Sequence, residues 1–322
     1  MAMELIGQAG MTSELKQTYE RTLLSALEKN LVFAKYGLNT PIPAKGGISV
    51  EWRRFEKIAV GTHILTEGTP PTETQATISS ISATVSQYGA FSKVSDLLEL
   101  QSFDPVIDGF SKAYGPHMGE VLDVVVRDQI SAGATTVQYA GAATQVGTSG
   151  AGSVGSGNYL DSAELLEAKR TLTRVDVRPI NGRFICLIHP DITKDLYQDS
   201  DIIAAFKDAA ERGPGNPLST GVLGDWMGIR FVESTNVRLR TSYGMSGADV
   251  YECYLVGEEA YGVTDLSTEQ AKLIVKPRGS GGTSDPLNQF STVGWKAAIA
   301  AKVLDAKRLV KIYCASSRTP SA

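Results

Sequence analysis

No stretch of the 322-residue sequence approaches the roughly 20 consecutive apolar residues that span a bilayer, so no membrane-spanning helix is written here. There is no surplus of one charge either. The 31 Lys and Arg stand against 35 Asp and Glu, a formal net charge of −4, which excludes a basic nucleic-acid-coating protein and a highly charged tail. Charged residues make up 20% and hydrophobic residues 42%, ordinary globular usage that excludes a disordered chain. Cysteine is scarce: Cys186, Cys253 and Cys314 are far apart, odd in number and without a CxxC pair. They read as buried free thiols of a reducing compartment rather than a disulfide framework. The first ten residues lack the basic-then-apolar layout of a secretory signal, so a cytoplasmic product is expected.

Catalytic motifs are also wanting. The sequence has no GK[ST], GxSxG, HExxH or EF-hand pattern. Its three histidines, His63, His117 and His189, fall in a hairpin tip, a helix and a strand end, without metal-ligand spacing. His189, ahead of Pro190-Asp191, is the one to test for catalysis, though its place at a strand end reads first as a turn residue. Asp195, Asp199 and Asp201 read as helix-terminus and solvated residues. Gly150, Gly152 and Gly155 match GxGxxG, but no strand precedes them, and a Gly-rich run produces chance matches. A nucleotide-dependent enzyme would rest on those three glycines alone. No catalytic residue, cofactor or metal is therefore assigned. Basic residues gather at Arg53, Arg54 and Lys57 and at Lys302, Lys307, Arg308 and Lys311, interleaved with acids and without the aromatic spacing of a single-strand binder.

What is present is a sequence of well-marked elements. Thr12 or Ser13 caps a helix in which Leu15, Tyr19, Leu23, Leu27 and Leu31 recur at four-residue steps, and Gly37, Pro41 and Pro43 end it. A helix with one apolar stripe, lying before the first strand, is expected to pack on the main body or on a neighbouring subunit. After Gly46-Gly47, Ile48, Val50 and Trp52 alternate with polar residues, and the alternation returns from Ile78 to Tyr88. These are two strands joined by a Gly/Thr/Pro-rich tip. Each limb has about twenty residues and could reach about 65 Å at ~3.3 Å per residue. An isolated ribbon of that kind is only marginally stable in water, so this one is expected to find support outside its own subunit, the alternative being a hairpin folded back over its own core.

Asp104 and Pro105 then open a helix to about Ala132, expected to kink at Gly115-Pro116 and to bury Val106, Phe110, Met118, Leu122 and Ile130. Residues 141–158, almost wholly Gly, Ala, Ser, Thr and Val, read as a flexible surface loop. Asp161 with Glu164 starts a further helix that ends near Arg174. A buried strand at Phe184 to Ile188 turns at His189 into short helices, the second from about Asp201 to Glu211. Strands are expected at Ile229 to Glu233, Tyr251 to Val256 and Lys272 to Val275, and the segment from Phe290 to Cys314 is strand-rich.

One ordered set of short motifs runs through these elements. It comprises Trp52-Arg53-Arg54-Phe55-Glu56, Leu65-Thr66-Glu67-Gly68-Thr69-Pro70, Gln87-Tyr88-Gly89-Ala90-Phe91, Ser95-Asp96, Phe103-Asp104-Pro105, Gly294-Trp295-Lys296 and Ala300-Ala301-Lys302. Together they resemble the major capsid proteins of tailed bacteriophages, in the branch of coliphage N-four, from about Leu31 to Tyr313. The resemblance implies an α+β chain with the Hong Kong phage (Johnson) capsid fold. It divides the chain into an N-terminal arm (1–45), an extended E-loop (46–92), a P-domain with a long spine helix (93–179), an A-domain (180–270) and a return to the P-domain (271–322).

The function so implied is assembly of one chain through hexamers and pentamers into an icosahedral head in the virion, built in the host cytoplasm. Its partners would be itself, portal, scaffolding and cement proteins, and packaged double-stranded DNA through weak nonspecific contact. An encapsulin-like compartment is the alternative on the same fold. No lysine lies between Lys57 and Lys93, so an E-loop lysine crosslink is not expected and the shell should be noncovalent. The chain starts almost directly with its arm helix, so scaffolding is expected from another protein. Trp52, Arg53, Arg54 and Phe55 at the hairpin base, and Glu67 near its tip, are the expected inter-subunit contacts.

Overall fold

The structure, a computed structural model, describes residues 31–41, 48–56, 58, 60–61, 67–68, 73–102, 106–148, 152–204, 224–264, 271–280 and 285–318. The arm helix before Leu31, the motif residues Leu65, Thr66, Thr69 and Pro70, and the helix start at Asp104-Pro105 lie outside the described residues. So do His63 and the stretch 205–223.

In chain order the strands and helices begin with β1 (Leu38–Thr40), β2 (Ser49–Phe55), β3 (Ile78–Thr84) and β4 (Ser86–Ser95). Helices α1 (Asp96–Gln101) and α2 (Val106–Gly133), strand β5 (Val137–Tyr139), helix α3 (Ser162–Arg174), strand β6 (Phe184–Ile188) and helix α4 (Pro190–Leu196) follow. The remainder is β7 (Asp225–Trp226), β8 (Ile229–Glu233), β9 (Leu239–Arg240), β10 (Val250–Val256), β11 (Tyr261–Thr264), β12 (Ala271–Lys276), β13 (Phe290–Ile299), β14 (Ala301–Val303) and β15 (Leu309–Cys314).

The alternating stretch expected as one strand from Ile78 to Tyr88 is two. β3 pairs antiparallel with β2, from Ser49↔Thr84 to Phe55↔Ile78. Only Val85 separates β3 from β4, which pairs instead with β13 over ten rungs, from Ser86↔Ile299 to Ser95↔Phe290. Strand β12 lies on the other edge of β13. The break therefore comes from a change of partner, to which side-chain periodicity is blind.

Helix α2 lies across this three-stranded sheet. It runs through Gly115-Pro116 as one 28-residue helix, about 42 Å at 1.5 Å per residue. Met118, Leu122, Val126 and Ile130, at four-residue steps, are fully buried against Phe33, Tyr261 and Trp295. Phe110, expected in the buried face, is exposed. A hydrogen bond of 2.5 Å joins Tyr114 on the helix to Ser92 on β4, and Trp295 Nε1 donates to His117 Nδ1 at 3.0 Å. Asp123, the buried acid of this helix, accepts the Phe33 N–H at 2.7 Å and the Asn236 amide at 3.0 Å. Burial raises its carboxyl pKa, against the pull of those hydrogen bonds.

The second sheet has the order β5-β15-β10-β6-β8-β7, with β9 also on β10. Both of its faces are covered, so β6, β10 and β15 are buried at every position. Leu165, Leu172, Ile192 and Leu196 from α3 and α4 cover Cys186, Cys253, Leu255 and Cys314 on one face. Ile185, Leu187, Tyr254 and Val256 meet the α2 cluster on the other. Strands β5 and β15 join this sheet although the sequence division puts them in 93–179 and 271–322. Chain order separates what hydrogen bonding brings together. Within Phe290 to Cys314, only β13 belongs to the sheet with β4.

The three cysteines are free and buried, with Cys253 Sγ 3.7 Å from Cys314 Sγ. The low-complexity stretch is more ordered than its composition predicts. Gln145 bridges to Ser153, and Val154 is fully buried with Val250, Tyr313 and Ala315. Backbone hydrogen bonds, from Thr144 N–H to Gly152 O and from Met245 N–H to Val154 O, hold the segment together with the docked valine.

Candidate assembly surface

The ribbon β2–β3 has two unlike faces. On the inner face Val50 and Trp52 are buried. The Trp52 indole Nε1 donates to Thr40 Oγ1 at 2.9 Å, and its ring lies over Gly262 on β11. A Cβ at Gly262 would stand 2.5 Å from Trp52 Cε2, so only glycine admits the ring here. Arg54, next on the same face, is half-buried, and its Nη1 stands 2.6 Å from Asp305 Oδ2. Both residues are thus engaged inside their own subunit, where they hold the ribbon's base against β1, β11 and the turn before β15.

The outer face carries Glu51, Arg53 and Phe55. Arg53 makes an exposed ion pair with Glu51 at 3.5 Å. Phe55 is 76% exposed and sits opposite Ile78, itself 58% exposed, and Ile48, Ile58 and Val60 nearby in sequence are also open to solvent. Glu67 is exposed in a turn. A second exposed apolar group lies on α1, where Leu97, Leu98 and Leu100 are all at the surface. That helix was not foreseen. Its signal is the Ser95 N-cap, whose hydroxyl accepts the Leu98 N–H, with Asp96 in the first turn. Exposed large apolar residues gathered in this way mark surfaces that bind other proteins.

The residues weighed for chemistry have structural tasks. His189 is the N-cap of α4, its Nδ1 accepting the Asp191 N–H at 3.1 Å, and burial lowers its pKa. Asp191 in turn binds Tyr251 and Arg318. Asp199 accepts the N–H groups of Ser162 and Asp201, and Asp195 accepts the Ser317 N–H. Asp161 caps α3 as expected, but Glu164 reaches the Gly141 N–H rather than closing a capping box. Gly150 lies outside the described residues. Gly152 occupies a left-handed turn, and Gly155 donates to Asn158 Oδ1. Helix α3 begins only at Ser162, so no helix opens at the last glycine of the GxGxxG match.

Arg308 pairs with Glu259 and Asp305. Among the basic residues noted at the hairpin base and near the C-terminus, Arg53, Arg54 and Arg308 are thus paired with acids of the same chain, and Lys311 donates to the Ser131 carbonyl.

Comparison with known proteins agrees with this architecture. The fold is similar to the capsid of Cyanophage Pam1, with a TM-score of 0.70, 14% identity and coverage of 99% of this chain and 97% of that one. The capsid of Ralstonia phage GP4 gives a TM-score of 0.65 at 14% identity, covering 86% of each chain. That of Helicobacter pylori bacteriophage KHP30 gives 0.63 at 11% identity, covering 83% of this chain and 85% of that one. These place the chain in the Hong Kong phage capsid fold. No curated protein matches the sequence. A model of the family described as phage capsid protein matches residues 78–312, well over half of the chain: the chain belongs to the phage capsid protein family and is a major capsid protein, a building unit of the phage head.

Proposed function

We propose that the chain assembles through hexamers and pentamers into a closed icosahedral shell around double-stranded phage DNA, each hairpin lying across a neighbouring copy. One observation carries this reading: the ribbon is supported within its own subunit along Val50 to Arg54, while Phe55 and Ile78 beyond that support are left open. Exposed apolar residues on a projecting ribbon are covered when a second copy receives it, and closed symmetry makes such head-to-tail contacts finite. Phe55, Arg53 and Glu67 are the contact residues in this reading. Trp52 and Arg54 act through the ribbon's placement.

In this reading the arm keeps the limits 1–45, while the E-loop, expected over 46–92, ends sooner, at Val85, because β4 pairs with β13 from Ser86 onward. The P-domain comprises α2 with the β4-β13-β12 sheet, and the A-domain comprises the β5-to-β7 sheet with α3 and α4. The protein carries no catalysis of its own. Its shell is noncovalent, it is assembled in the host cytoplasm, and scaffolding, portal and cement functions come from other chains. The ordered motif set favours the coliphage N-four branch.

The test is expression of the full chain in a bacterium, followed by negative-stain electron microscopy and light scattering, with and without a co-expressed scaffolding protein. Shells, tubes or five- and six-membered rings are expected. A chain that stays monomeric under both conditions would overturn the reading. Cargo enzyme in place of nucleic acid inside native particles would favour a compartment shell.

A further inference from the structure

Helix α2 buries one charged side chain, Asp123, among Met118, Leu122, Val126 and Ile130. It is fully buried, and no cation pairs with it among the described residues. Its partners are N–H groups instead. Oδ1 accepts the Phe33 N–H at 2.7 Å, the N–H groups of Val32 and Ala34 turn to the same carboxylate, and Oδ2 accepts the Asn236 amide at 3.0 Å. Three successive backbone N–H groups around one anion form a nest, and here the anion belongs to the protein itself. The gripped residues stand where the arm joins the body. Phe33 is fully buried, and its carbonyl accepts the Tyr261 hydroxyl at 2.5 Å.

A buried carboxylate without a cation is costly, and an apolar residue on this helix face would avoid that cost. What the acid supplies is direction. It accepts from backbone, so it fixes the path of residues 32–34 in a way that apolar packing does not. The same stretch leads straight into β1. A Cβ at Gly37 would stand 2.6 Å from Val263 Cγ2, so the chain runs close against β11 before pairing with it from Leu38↔Gly262 to Thr40↔Thr264. Thr40 then holds the Trp52 indole. The root of the arm and the base of the hairpin are therefore mounted on one three-residue strand.

We propose that Asp123 is the positioning residue of the N-terminal arm: by gripping the backbone of residues 32–34 it sets the direction in which the arm leaves the subunit, and so whether the arm reaches the next copy. The inference rests on the shell reading above and adds to it the residue that aims the arm. The 30 residues before Leu31 would span about 45 Å as a helix at 1.5 Å per residue, so a small turn at the root becomes a large displacement at the tip.

The experiment first exposes the unassembled full chain to trypsin and reads cleavage after Lys35 by mass spectrometry. Lys35 is exposed, but cutting there requires the root to open locally. Asp123→Leu leaves the gripped N–H groups without their acceptor and should raise that cleavage at least about tenfold. Asp123→Asn keeps one acceptor oxygen for Phe33 and should fall between; if Asp123→Leu does not fold, it carries the comparison. Met118→Ala weakens the same core without touching the grip, and thermal melting measures the stability each variant loses. Particle yield, with a scaffolding protein co-expressed, is then counted by electron microscopy. A several-fold fall in yield is expected for the Asp123 variants, beyond what their melting temperatures account for on the scale set by Met118→Ala. Unchanged cleavage after Lys35 in the Asp123 variants overturns the anchor. A yield that follows melting temperature alone across all variants overturns the aiming role and leaves the acid a part of the core. If the unaltered chain forms no shell with scaffold present, it is the shell reading that falls, while cleavage after Lys35 still decides the anchor.

Discussion

Arg54 and Asp305 meet across 250 residues of sequence, Nη1 to Oδ2 at 2.6 Å, and fasten the base of the hairpin to the turn before the last strand. The pair is partly exposed, so cutting it costs about 1 kcal/mol at most, whereas reversing one charge adds repulsion. Arg54→Glu should lower the heat resistance of particles and their yield, and Arg54→Glu with Asp305→Arg should restore much of both. Sedimentation of heated particles reads the difference. Full heat resistance in the single variant would remove the fastening role.

Gly262 tests the packing of the same base. Gly262→Ala drives a methyl into the Trp52 ring and, as overpacking, should cost about 1–3 kcal/mol. A lowered melting temperature with altered tryptophan fluorescence is expected, and an unchanged melt would mean that the ring moves aside freely.

Phe55 makes the opposite prediction. Being exposed, it adds little to the subunit, so Phe55→Ser should leave monomer melting unchanged within about 0.5 kcal/mol. Particle yield should fall several-fold. Equal yield from the variant and the parent chain would take Phe55 out of the interface.

Acid should loosen the join between α2 and the larger sheet. Glu252 is buried, which raises its pKa, but the hydrogen bonds from Ser131, Tyr254 and Arg240 together outweigh that and hold it below 4.5. A carboxyl depressed on folding stabilises above its unfolded value and loses that stabilisation as pH falls through the folded one. Stability should therefore decline below about pH 4.5. Glu252→Gln should be less stable at neutral pH and show a flatter acid limb in melting curves. An acid limb as steep as the parent's would exclude Glu252 as its source.

Much of this fold was legible because local signals and tertiary partners agree. Asp161 caps α3, His189 turns β6 into α4, and the uniform burial of Phe184 to Ile188 follows from a sheet covered on both sides. Sequence reading failed where partners decide. The change at Val85 left no mark in a run of alternating residues, and Val154 anchored a segment whose composition spoke only of flexibility. Among the candidate contacts, residue type pointed to the ribbon but was silent on its faces. Period-two alternation sends Trp52 and Arg54 inward and Arg53 and Phe55 outward, and which set meets solvent depends on β11 and Asp305, far away in sequence.

The single residue between β3 and β4 makes the hairpin a lever rather than a tether. Val85 donates its N–H to Ile48 O at 2.8 Å, so the ribbon is clamped at its root and lacks a slack joint about which to swing alone. In the shell proposed above, torque applied to its far end by a neighbouring copy would pass along one continuous backbone into β4, and from Ser92 to Tyr114 on the long helix. Each subunit of that shell would then feel the strain of the next, and the whole would stiffen or yield as a connected frame.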